Sequence, residues 1–168
     1  MTRIAILLFL AAASCVSLRS EAAPPRTFDP TVGAAELQPM LDARVERVTQ
    51  AEHLTAQFAV RTAEHEVVFD RENLWIATPR AMVEEVGLAL LRGTGENPRP
   101  VQLHVGAFDL DLRTEPPAAV VVLDVTGAAN FRVTERVDAA GRSADALAAA
   151  MGKALQGAMR EVLQRLRA

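Results

Sequence analysis

The chain has 168 residues, of which 50% are hydrophobic and only 4% aromatic, and its net charge is −3. One domain is expected, with a core of Val, Leu, Ala and Met rather than rings. The weakly acidic balance leaves no basic footprint for nucleic acid, and a single cysteine excludes an intramolecular disulfide.

Arg3 precedes an apolar run over residues 4–13, and small residues follow up to Cys15. This is the pattern of a secretory signal peptide, expected over residues 1–14 and too short to stay as a membrane span. Ala12, Ala13 and Ser14 before Cys15 resemble a bacterial lipobox, with Ala12 where Leu is commonest. Cys15 is therefore the expected lipid-attachment site. The other reading is cleavage by a plain signal peptidase that leaves Cys15 an incidental thiol. Acyl chains contribute about 0.8 kcal/mol per buried CH₂, and more than one gives a stable anchor. Val16, not Asp, follows the cysteine, which by resemblance to Gram-negative lipoproteins argues against inner-membrane retention. Residues 15–39 hold Pro24, Pro25, Pro30 and Pro39 and are expected to be the lipidated N-terminus and a flexible tether. The alternative for its second half is packing on the domain through Phe28.

The domain is expected over residues 40–168. Residues 40–48 alternate, with Leu41, Ala43 and Val45 on one face. Residues 49–57 read as a loop. Two short strands follow around a polar turn at 62–66, and residues 70–73 break the run. Thr78 is a good N-cap and Pro79 suits the first helical position. Met82, Val83, Val86, Leu90 and Leu91 then make one helical face. Residues 93–100, GTGENPRP, lack phosphate-loop spacing and read as a turn. In residues 101–113 the apolar parity changes from odd (Val101, Leu103, Val105) to even (Phe108, Leu110, Leu112). A β-bulge at Gly106 would keep all six on one face and put Asp109, Asp111 and Arg113 on the other. Residues 118–126 are apolar on both sides through Val120, Val121, Val122 and Leu123, a strand covered twice or forming an oligomer face. Residues 130–138 complete a meander, with Phe131, Val133 and Val137 inward. Ser143 caps a last helix with the stripe Leu147, Met151, Leu155, Met159, Val162 and Leu166. Gly152 and Gly157 are expected to mark close packing of that helix against the sheet.

The expected fold is α+β: a single mostly antiparallel sheet with two helices on one face, in the order β-β-β-α-β-β-β-α. No chemistry-bearing constellation emerges. His53, His65 and His104 lack the spacing of a zinc site. Asp109 and Asp111 share a strand face, but Arg113 is a ready neighbour, so they read as a solvated face before a catalytic pair. No G-x-S-x-G elbow exists. No catalytic, cofactor-binding or metal-binding residue is assigned. Trp75, the only tryptophan, either fills the corner between strand and helix or meets a partner.

An apolar strand, then Asn73, Leu74, Trp75 and, four residues on, Pro79, then an amphipathic helix, resembles the ABC-type transport auxiliary lipoprotein family, in its paraquat-inducible protein C-like form. Phe58, Val60, Arg61 and Phe69 also match, and the similarity is strongest over residues 58–92. The resemblance implies a non-enzymatic, periplasm-facing outer-membrane lipoprotein that needs no cofactor. Such a protein would work beside an MCE-domain protein, docking an ABC-type transport assembly for lipids or apolar compounds to the outer membrane. Alternatives are an outer-membrane assembly lipoprotein supporting a β-barrel, or a periplasmic hydrolase.

Overall fold

The strand in which the apolar parity changes is the longest in the molecule, and the sheet is assembled on it. In the computed structural model, which describes residues 23–168, the order is β1 (Arg26–Phe28), a 3-10 turn (Val32–Glu36), β2 (Ala43–Gln50), β3 (Gln57–Ala63), β4 (Glu66–Trp75), α1 (Pro79–Leu90), β5 (Arg99–Asp111), β6 (Ala118–Gly127), β7 (Phe131–Asp138) and α2 (Ala144–Arg167). Apart from β1, this is the expected element order of an α+β fold. The seven strands form one sheet, ordered β1-β4-β3-β5-β6-β7, and β2 also lies on β5. The expected signal peptide and Cys15 lie outside the described residues.

The sheet is mixed, with its longest ladders antiparallel. β3 with β4, β5 with β6 and β6 with β7 are antiparallel, while β1 with β4, β2 with β5 and β3 with β5 are parallel. Because β6 takes one edge of β5, β2 and β3 share the other edge, at residues 99–105 and 109–111. Parallel neighbours need a crossover, which for the two pairings on β5 passes through α1, and strand alternation carries no sign of one.

The expected bulge is present: the register against β6 shifts between Val105 and Ala107. It keeps Val101, Leu103, Val105, Phe108 and Leu110 within 1% of full burial. A second bulge, between Val45 and Arg47 in β2, was not legible. It brings Val48 into the core beside Ala43. Leu41, expected on the buried face, precedes the strand and is 54% exposed.

Both helices begin as their capping residues dictate. The Thr78 and Ser143 hydroxyls accept from the Ala81 and Ala146 N–H groups, and Pro79 stands at the first position of α1. All the residues expected on their apolar faces are buried. α1 lies over β2 and β5, where a Cβ on Gly87 would sit 3.0 Å from Val45 Cγ2. α2 lies over β6 and β7 on the same face of the sheet. Gly157 does face the sheet, since a Cβ there would meet Glu135 of β7 at 2.6 Å. Gly152 instead faces the backbone of Pro30. Gly127 (φ +95°) ends β6 against the Pro100 carbonyl, a conformation and approach that suit glycine alone.

Part of the expected tether belongs to the domain. Arg26, Thr27 and Phe28 pair in parallel with Asn73, Leu74 and Trp75, and Ile76 donates to the Phe28 carbonyl. Ala34 in the 3-10 turn is fully buried, and Pro30 is buried as well. Ring burial and paired backbone hold this segment although its prolines oppose long regular elements.

Among the described residues no element covers the second face of the sheet. Val121 and Leu123 of β6 are fully buried beneath the helices, whereas Val120 and Val122 are half-buried on the open side.

Candidate functional site

The four motif residues build one corner. Asp70 accepts from the N–H groups of Glu72 and Asn73 and from the Asn73 side-chain amide at 2.7 Å. That turns the chain so that Leu74 pairs with Gln57 on one side and Thr27 on the other. The Trp75 side chain then points into the core, 2% exposed, while its backbone N–H donates to the Ala56 carbonyl. Its ring stacks on Phe58, with centroids 3.9 Å apart and planes at 27°. It also meets Phe108 edge-on at 5.4 Å, and Phe58 in turn meets Phe28 at 5.3 Å. Each such pair adds about 0.5–1.5 kcal/mol beyond area burial. Pro79 opens α1 at the end of the corner. Of the two roles considered for Trp75, the structure gives it the packing role. Its indole Nε1 is buried without a partner among the described residues.

The open face carries a lattice of ion pairs. Arg61 donates to Asp109 Oδ2 at 2.7 Å. Asp111 takes both arms of Arg113, at 2.8 and 2.9 Å, and Arg136 at 3.1 Å. Arg132 grips Asp124 at 2.6 and 2.9 Å. His104 sits beside these groups with its Nδ1 2.9 Å from the Thr49 hydroxyl. Asp109 and Asp111 are each only 3% exposed, and each carries arginine guanidinium groups on its carboxylate. Arg113 above all, aided by Arg136 and opposed by burial, holds the Asp111 carboxyl far below the usual carboxylate range. Arg132 lowers Asp124 in the same way. Asp111 and Asp124, with donors on both oxygens, are held ionised, which suits structure and not proton transfer. Of the carboxylate oxygens on this face, Asp109 Oδ1 is buried without a partner among the described residues. Among those residues there is also no cluster of three potential metal ligands, and no helix long and apolar enough to cross a membrane.

A third feature had no clear signal in the sequence. Beyond the cover of either helix, the inner face of the β3–β4 hairpin meets the first turn of α2 in a groove of about 390 Å³. Its walls are mainly apolar, and Val68 remains 47% exposed in it. Strand alternation places Val60 and Val68 on one face but does not reveal that α2 begins too far away to cover them.

No family model matches the chain, and no curated protein matches it. Solved structures do. The crystal structure of protein XCC0632 from Xanthomonas campestris, described under the family model DUF330, aligns over 85% of both chains with a TM-score of 0.64 at 17% identity. The crystal structure of an uncharacterized protein aligns over 85% of this chain and 97% of its own, with a TM-score of 0.56 at 13% identity. At these identities the likeness is one of fold.

Proposed function

We propose that the chain is a periplasm-facing outer-membrane lipoprotein, an auxiliary part of an MCE-type ABC transport system that docks the transport assembly to the membrane. The observation that carries this reading is the corner at Trp75. Asn73, Leu74, Trp75 and Pro79, which carry the resemblance, form one contiguous unit that joins the sheet to α1. A motif that dictates how strand becomes helix travels with a fold, and the element order read from the residues, which agrees with the resemblance, is present with β1 added. The lipobox-like Cys15 supports the anchor. The reading assigns the protein no catalytic residue and no cofactor. Its partners are an MCE-domain protein and the membrane, with self-association through the open sheet face as a further element.

Affinity capture from detergent-extracted cell envelopes tests this function. An MCE-domain protein should be recovered with the chain, and Cys15→Ala should release the protein from membranes. Recovery of a β-barrel protein in its place would transfer the chain to barrel assembly.

A further inference from the structure

The groove beside the β3–β4 hairpin has the makings of a binding site, and its chemistry names a ligand class. Its floor is Phe58, Val60, Val68, Leu112 and Leu147, and Arg142 stands at its rim. About 390 Å³ lies at the lower end of the range of small-molecule pockets. That suits one alkyl chain and not the paired chains of a phospholipid. The charges available to a ligand are unequal. Asp70, the acid in the wall, is already satisfied by three donors from Glu72 and Asn73. Among the described residues Arg142 is held only by Glu115, at 3.1 Å, in a pair whose side chains are 55% and 79% exposed. Such surface pairs contribute little, so the guanidinium is free to exchange partners. A floor of carbon next to an exchangeable cation complements a molecule with one apolar tail and one anionic head.

We propose that this groove binds a single-chain anionic amphiphile, a free fatty acid, with its tail along the hairpin and its carboxylate on Arg142. The proposal stands on the groove alone and is independent of the docking role.

The test uses a reporter within the fold. Trp75 is the only tryptophan and stacks on Phe58, which is part of the groove floor. Titration of the mature protein with a chain-brominated stearate below its micellar concentration should quench Trp75 emission saturably. Unbrominated oleate should reverse the quenching by competition. Arg142→Ala should weaken binding about tenfold, and the methyl ester of the brominated acid should bind as weakly to the unchanged protein. Val68→Glu, at an exposed position, should abolish quenching while circular dichroism keeps its native shape; should that variant not fold, the oleate and ester arms decide alone. Quenching that never saturates, or that oleate fails to reverse, would overturn the proposal. An ester as tight as the acid would overturn it too, and so would reversal by an apolar helical peptide but not by oleate, which would give the groove to a protein partner. Loss of MCE-protein capture with quenching intact would remove the docking role and leave the groove assignment in place.

Discussion

The two faces of the sheet follow different physics although they share the same strands. On the covered face Val121, Leu123 and Leu103 lie beneath the helices and Trp75 packs among Phe58 and Phe108, and stability comes from apolar area and close packing. On the open face Asp109 and Asp111 are as buried as core residues, yet they are covered only by arginine side chains from β3, β7 and the end of β5. The comparison teaches that burial alone does not mark a core. A carboxylate can be dry because something charged lies on it, and its energetic weight is then modest and dependent on pH.

Three measurements would break or sharpen that contrast. The largest effect is expected from Trp75→Ala, which removes both ring contacts and leaves a cavity. Unfolding free energy should drop by about 3–5 kcal/mol in a denaturant titration. An unchanged midpoint would mean that the corner does not organise the covered face.

Next comes a matched pair on β6. Val121 and Val122 are neighbours in sequence and point to opposite faces. Val121→Ala should cost about 2 kcal/mol through lost transfer energy and a residual cavity, and Val122→Ala well under 1. Equal costs would show that the open face is covered in the native protein.

The charged side of the contrast is tested by Asp111→Asn. Its arginine partners are more than a third exposed and regain water, so the cost at neutral pH should be about 1–2 kcal/mol. The sign with pH follows from the lowered carboxyl. Its contribution is complete above the unfolded carboxylate value of about 4 and declines as pH falls through the folded one. Stability curves for the parent and variant should therefore converge as pH falls below about 4. Parallel curves would remove Asp111 from the acid response.

Much of the covered face was legible in the sequence. The parity change at Gly106 announced the bulge, and Thr78, Pro79 and Ser143 announced where each helix starts. Local chemistry decides those features within a few residues. What was not legible depends on distant segments. The carboxylates at 109 and 111 alternate outward as expected, but their burial depends on Arg61, 48 positions before Asp109, and on Arg136, 25 after Asp111. The same holds for β1, which pairs only because the Trp75 corner offers an edge, and for the parallel pairings on β5. The motif residues could be identified in advance, but their role as a packed corner could not, because a buried and a partner-facing tryptophan read alike in one dimension.

The placement of β2 and β3 along one edge of β5 also dictates an order of assembly. Both strands belong to the first half of the domain, yet the surface they pair with is not present until residue 111 has joined the chain. The early hairpin and its neighbour must wait, without their template, while residues 76–111 arrive. Long-range parallel pairing of this kind slows folding, so the completed sheet depends on most of the chain being in place.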